Sequence, residues 1–417
     1  MTVTGAMRRV LMAVLLISCV HPAGAAADDA IYHLALGDPA RKNRELPVTL
    51  DALVDSATGA RLTPRELAAR LQSTRLLLLG EEHTSVEFHR VQLQVLRALH
   101  ESGRRVLVGL EMYPYTQQPS LDRWNSGELT DTAFVEQSRW YEHWGYPWNY
   151  YRDIFLFCRD ARIPMYAVNA PREVVTAVRK KGFANLTPEE AAHVPAHVDV
   201  ESAEHFAFFK AALSEGGATH PGMSDEALKG MLAAQATWDA TMGWNAVEAL
   251  KRANDTSAIM VVLVGGGHVA YGLGIERQAR QFFDGGIATV VPVPVTDSDG
   301  APVTSVRASY ANFVYGVQGE RDAAYPTLGI STTPGQGGRA VIDVEKDTPG
   351  ARAGVKVGDT ITAFDDQPLV DKATFNRLMA GKLWGDVVQL TIVRDGRQEK
   401  LPVPLTRVAA SAAAAKK

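Results

Sequence analysis

Residues 76–83 read LLLLGEEH and residues 261–268 read VVLVGGGH. Each is a short apolar run that stops at glycine and then delivers a histidine. The stretch Arg75–Leu79 is too short and too uniformly apolar for an amphipathic helix and fits a strand buried on both faces. Ala258–Val264 reads the same way and is the most apolar strand of the chain. Between and beyond them strands alternate with helices. Thr84, with Glu87 three residues on, starts a helix in the manner of a capping box, and that helix runs to about Glu101 before Gly103. Val106–Leu110, Pro164–Val168 and Ile287–Val295 read as further strands, and Ser305–Gly316 as more strand. Ile154–Ala161, Glu173–Lys181 behind Pro171, Pro188–Val194, Ala203–Ser214, Asp225–Arg252 and Leu273–Phe283 read as helices. Such alternation predicts an α/β fold, an open mostly parallel sheet flanked by helices, with right-handed crossovers.

The strand ends carry the chemistry. The first ends in Gly80-Glu81-Glu82-His83, the second in Glu111 and then Tyr113, the third in Asn169, and the fourth in Gly265-Gly266-Gly267-His268. Ligands of open parallel sheets bind at the carboxyl ends of the strands. Ionisable groups gathered in such a crevice are either a paired structural network or a functional site, and clusters of this kind are enriched at functional sites. His83, His268, Glu81 and Glu111 could ligate zinc, manganese or iron. The spacing of His83 and His89 does not fit the H-E-x-x-H motif, which needs i and i+4. His89 lies at helical spacing between Val86 and Leu93, so a hydrogen-bonded core histidine is an equal reading. Asp239 sits mid-helix beside Trp238 and Met242 and needs a partner, either a crevice histidine or solvent. Gly265–Ala270 satisfies G-x-G-x-x-A, but a histidine interrupts it and no acidic residue ends the next strand at the distance a dinucleotide site requires. From Trp140 to Tyr151 seven of twelve residues are Trp or Tyr, with His143 among them. They form either a packed roof over the sheet or the wall of a large flat apolar ligand. A tyrosine oxygen there could also ligate ferric iron.

The 43 basic and 47 acidic residues give a formal net charge of -4, which excludes a strongly basic nucleic-acid binder. With only Cys19 and Cys158 present there is no disulfide framework. Arg8 and Arg9, the apolar run to Val20 and Ala23-Gly24-Ala25 make residues 1–25 a signal peptide. Leu16-Ile17-Ser18-Cys19 resembles a lipobox, so either cleavage after Ala25 or lipidation at Cys19 follows. The expectation is an exported protein, periplasmic or anchored to the outer membrane by lipid alone. No later run is long enough to span a bilayer.

These blocks together resemble a known family. LLLLGEEHTSVEFHRVQLQVLRAL (76–99) resembles the opening of ChaN-like haem-binding uptake proteins of the Tiki superfamily. VLVGLEMY (106–113), PSLDRWNSG (119–127), YPWNYYRDI (146–154), YAVNAPREVV (166–175), AAQATWDATM (233–242) and VGGGHVAYGLGI (264–275) match later blocks in order. The resemblance implies an α/β domain over residues 46–316 that binds haem in iron uptake, with haem held between two subunits in some members and a tyrosine as iron ligand. Tyr113, Tyr115, Tyr146 and Tyr271 all lie near the motifs. The implied ligand site comprises Gly80, Glu81, His83, His89, Glu111, Tyr113, Asn169, Asp239, His268 and Tyr271. More distant superfamily members are hydrolases whose motif positions correspond to Glu81, His83, Glu111 and His268. A metal-dependent hydrolase with a divalent ion at His83 and His268 is therefore the alternative, and a possible homodimer is implied for the haem reading. After a linker at 317–323, residues 324–406 resemble a PDZ domain of the bacterial protease type. Leu328-Gly329-Ile330 matches its carboxylate-binding loop, PGARAGVKVGDTI (349–361) its later motif, Ala373–Met379 the groove helix and VVQLTIVR (387–394) a final strand. Such a domain would bind a peptide or protein C-terminus by strand addition. No G-x-S-x-G accompanies it. Residues 407–417 are expected to be a disordered tail.

Overall fold

The computed structural model describes residues 30–215, 224–297, 300–320 and 322–407. The expected signal segment with Cys19, and the tail beyond residue 407, lie outside them. The first lobe is built on an eight-stranded sheet. Six of its strands run parallel: β1 (Thr74–Glu81), β2 (Val106–Pro114), β3 (Met165–Asn169), β4 (Ile259–Gly265), β5 (Gly286–Pro294) and β6 (Phe313–Val317). Their spatial order is β6-β5-β1-β4-β2-β3. Leu53–Asp55 and Arg61–Leu62 add two antiparallel strands beyond β6, and a separate short pair joins Glu45–Pro47 to Ser305–Arg307. The late strand β4 thus inserts between β1 and β2, with Glu81 opposite Gly265 and Leu110 opposite Leu263. That insertion brings the GGGH end alongside the GEEH end.

The apolar runs form strands because both faces are covered. Leu77, Leu79, Val108, Leu110, Val261 and Leu263 point into one core, and Leu76, Leu78, Leu107, Met260 and Val262 into another. Alternate side chains leave the pleat on opposite sides. Each fully buried leucine contributes about 1.5–3 kcal/mol. On the first face lie α1 (Val86–Glu101) and the aromatic segment with α2 (Trp140–His143) and α3 (Arg152–Asp160). The second face takes α5 (Asp225–Arg252), a helix of 28 residues, and α6 (Ile275–Ala279), while α4 (Arg172–Lys181) packs on α5.

Several boundaries differ from the sequence expectation. The α1 cap is Ser85, whose Oγ accepts from Phe88 N–H at 3.4 Å, not Thr84. Glu87 forms no capping box because its carboxylate takes the Arg90 guanidinium at 2.8 Å. The helix expected over Leu273–Phe283 is only Ile275–Ala279, since Gly272 and Tyr271 take positive φ in front of it. The helix expected over Pro188–Val194 stops at Ala191.

The second lobe is an antiparallel sheet with order β7-β8-β9-β10-β11. The strands are β7 (Ile330–Gly335), β8 (Gly338–Val344), β9 (Thr360–Phe364), β10 (Val387–Arg394) and β11 (Arg397–Pro404), and Gln367–Pro368 pairs with β9. Helix α7 (Lys372–Ala380) is capped by Asp371, whose carboxylate accepts from Thr374 N–H at 2.7 Å. Leu328, Val341, Ile361, Phe364, Leu390 and Val403 form its core. Among the described residues no helix is long and apolar enough to cross a membrane.

Candidate functional site

A crevice of about 650 Å³ opens at the carboxyl ends of β1, β4, β2 and β3. His83, Glu111, Asn169 and His268 line it. Two histidine–carboxylate pairs face each other there. His83 Nδ1 lies 2.8 Å from Glu81 Oε1, and His268 Nδ1 lies 2.6 Å from Asp239 Oδ1. Glu111 stands between them, accepting from Gly265 N–H at 2.7 Å and lying 3.4 Å from His268 Nε2. The three-glycine turn is explained at one position. A methyl group on Gly265 would sit 3.1 Å from His83 Cε1 and 3.7 Å from Glu111 Oε2, whereas one on Gly267 would meet nothing. The turn continues into 3-10 turns rather than an α-helix, so no helix N-terminus waits for a pyrophosphate and the dinucleotide reading falls.

Burial and pairing set the protonation states. Burial alone would raise Glu81, but the charges of His89 and His83 and hydrogen bonds from His83 and Tyr151 hold it at about 2. Burial also opposes ionisation of His83, yet Glu81 and Glu111 raise it. His268 is likewise raised, to about 10, against its burial, by Asp239 and Glu111. Glu111 is lowered despite burial by His268 and His83. At neutral pH His268 is thus a proton donor and Glu111 an acceptor, and the same pairing favours the charged form of His83.

The remaining expected residues divide. Asn169 lines the crevice and donates to Glu111 O at 2.8 Å. Asp239 is fully buried and supports His268 from behind, with its second oxygen 3.8 Å from His205 Nε2. His89 stays in the core, 3.1 Å from Gln92 Oε1 and 3.4 Å from Glu81 Oε2. Gly80 makes room for Val291 of β5, 3.1 Å from where its β-carbon would be. Tyr113 is buried on Ser138 Oγ at 2.6 Å. Tyr271 donates to Ile31 O at 2.6 Å and does not reach the crevice, and burial pushes both phenols above their ordinary range. Tyr115 bonds His193 instead. Of the four tyrosines near the motifs, Tyr146 is the one in the crevice, its ring 5.0 Å from that of His83. The aromatic segment divides between the core and the crevice. Trp140, Trp148, Tyr150 and Tyr151 are buried with Trp124, Phe134 and Phe155, while Tyr141, Trp144 and Tyr146 face the crevice.

The expected divalent-metal site is not assembled. Among the described residues no group of three His, Cys, Asp or Glu is arranged to hold a metal ion. Sequence reasoning missed Gln235, Trp238, Arg139 and Arg172 of the crevice wall, and Lys372 and Asn376, which reach it from the second lobe. Gln235 could have been found, since it precedes Asp239 by one helical turn. Nothing in the sequence signals that α7 docks against α2, where Asn376 Nδ2 donates to Tyr141 O at 3.3 Å.

A family model described as haem-binding uptake, Tiki superfamily, ChaN matches residues 67–278. The chain belongs to that family. ChaN of Campylobacter jejuni, solved with cofacial haem, has the same fold at 18% identity and a TM-score of 0.51, over 65% of this chain and 96% of that one. A PDZ domain model matches residues 326–405. Curated relatives named probable periplasmic serine endoprotease DegP-like are similar over short stretches. The protein from Pseudomonas savastanoi pv. phaseolicola is 35% identical over 66 residues, 16% of this chain, and that from Ectopseudomonas mendocina 34% over 68 residues, also 16%. The chain spans about 14% of the length of these relatives.

Proposed function

We propose that this ChaN-family protein binds haem in its strand-end crevice as part of iron uptake, is exported to the periplasm or anchored by lipid at Cys19, and uses its PDZ domain to take a peptide or protein C-terminus. Family membership and the crevice support the reading. The crevice carries it: an open cavity of about 650 Å³ with flat aromatic walls from Trp144 and Trp238 and a phenol at Tyr146. That volume and lining suit a large flat apolar ligand. Tyr146 would hold the iron and Trp144 and Trp238 would line the pocket around it, and haem when bound would supply a ferric centre that accepts an oxygen ligand. The chain's own His83 and His268 would stand beside the ligand. Because haem is bound cofacially in the Campylobacter protein, a homodimer is the matching proposal here, checked by light scattering with and without haem. For the PDZ domain, β7 is the terminal strand of its sheet, the position strand addition requires.

Haem titration of the purified protein followed by visible absorption tests the main reading. A saturable Soret change at fixed stoichiometry is expected, and its absence would remove haem as the ligand. One observation favours a second reading. Two histidine–carboxylate pairs flanking Glu111 are an acid–base arrangement, so the site could instead hydrolyse a bound substrate without the expected metal. In that case His83→Ala abolishes turnover, whereas in the haem reading it only weakens binding.

A further inference from the structure

The crevice has a wall that belongs to the other lobe. Asp371, Lys372, Ala373 and Asn376, at the start of α7, line it together with Arg172 at the start of α4. Three full cations therefore stand at its rim: Arg139, Arg172 and Lys372. Arg139 is neutralised by Glu142. Arg172 and Lys372 have no carboxylate within ion-pair distance among the described residues. The acidic groups nearby are already engaged. Glu111 serves His268, Glu142 serves Arg139, and Asp371 caps α7. Glu173 follows Arg172 on α4 and acts on it only through its charge.

Two unpaired like charges brought together across a seam between lobes repel one another, and the lobes dock in spite of it. The repulsion shows in Lys372, whose ammonium is lowered first by burial and then by Arg172 and Arg339. Arg172 is lowered by burial against the pull of Glu173 and Glu142. Each cation is also the first residue of its helix, and α4 has no side-chain cap. The partial positive charge of the uncapped α4 end adds to the field at the mouth, whereas that of α7 is offset by the Asp371 carboxylate.

We propose that Arg172 of the α/β lobe and Lys372 of the PDZ lobe form a two-cation clamp that takes a carboxylate of the crevice ligand. The proposal rests on the haem reading and specifies it: haem carries two carboxylate side chains, and the clamp seats one of them at the rim while the ring lies against the aromatic wall. The ligand site is then composite, complete only when α7 is docked.

The test titrates the full chain with haem and with its dimethyl ester, which has the same ring and no carboxylate charge. Wild type, Arg172→Gln and Lys372→Gln are compared, with thermal melting as the check on folding. The clamp is expected to make haem bind more tightly than the diester, and each substitution to weaken haem by roughly tenfold while leaving the diester unchanged. If wild type and both variants bind haem with equal affinity, the clamp is wrong and the haem reading stands. Equal losses for haem and diester would also overturn the clamp, because they would show a packing role. If wild type binds neither compound, the haem reading falls and the clamp with it.

Discussion

Asp239 faces His268 with one oxygen and His205 with the other, and all three are buried. A charged group left alone in such a place is strongly destabilising, by about 3–5 kcal/mol when one partner of a buried pair is removed. Asp239→Ala should therefore lower the melting temperature sharply, and Asp239→Asn less, because the amide still fills the space. The same network dictates how stability follows pH. Glu81 is held at about 2 against an ordinary 4.5, so its contribution is present above pH 4.5 and drains away as pH falls towards 2. His268 is raised to about 10 against an ordinary 6.5, so its contribution is complete below pH 6.5 and is lost as pH climbs through 10. The melting temperature should be highest between about pH 4.5 and 6.5 and decline on both sides. A profile taken on His268→Ala should have a shallower alkaline limb, part of which His83 still carries, and should keep its acid one. If Tyr146 holds the iron as proposed, Tyr146→Phe should weaken haem by about tenfold or more, with a changed visible spectrum.

Gly265 ends β4 where its neighbours leave no room for a side chain. Gly265→Ala would press a methyl group to 3.1 Å from His83 Cε1, and crowding of this kind costs about 1–3 kcal/mol. Gly267→Ala, in the same turn, meets nothing and should be silent, so a pair of melting curves separates the two. The elements themselves were largely legible in the sequence. Leu76–Leu79 and Val261–Val264 are apolar without interruption because both sides of the sheet are covered, and that pattern needs no tertiary knowledge to read. Their polar ends, Glu81, His83 and His268, follow from where ligands sit in parallel sheets. The helix start was misplaced by one residue because Thr84 and Ser85 are both good caps, and only the course of Glu87 towards Arg90 decides between them. Tyr113 and Tyr271 illustrate the opposite limit. Each stands beside a motif in sequence, yet one bonds Ser138 and the other the Ile31 carbonyl, and no local pattern tells which way a side chain turns from a strand end.

At the scale of the whole molecule the seam between lobes is the feature the sequence conceals, because it joins Tyr141 to Asn376 and Tyr150 to Tyr325 with no shared motif. Gly145 is a close approach across it. It has φ of 119°, and a β-carbon there would lie 2.8 Å from Asn376 Nδ2. A side chain is strained at that φ and also collides with α7. Gly145→Val should therefore loosen the docking of α7 without touching either lobe's core. Limited proteolysis should then cut faster within 318–323, after the end of β6 at Val317, and, under the proposed clamp, haem should dissociate faster than from wild type, since Lys372 leaves the rim. Asn376→Ala removes one hydrogen bond and adds no collision, so its effect on both readouts should be smaller. If the crevice binds haem and the PDZ domain a peptide, as proposed, the same contact couples the two sites. α7 is the helix that the PDZ resemblance assigns to the peptide groove, and it is also a wall of the crevice. A terminal peptide that shifts α7 must alter haem affinity by the same factor by which haem alters peptide affinity. Measuring the peptide's dissociation constant with and without saturating haem checks this: in wild type the two values should differ, and in Gly145→Val the difference should shrink towards none.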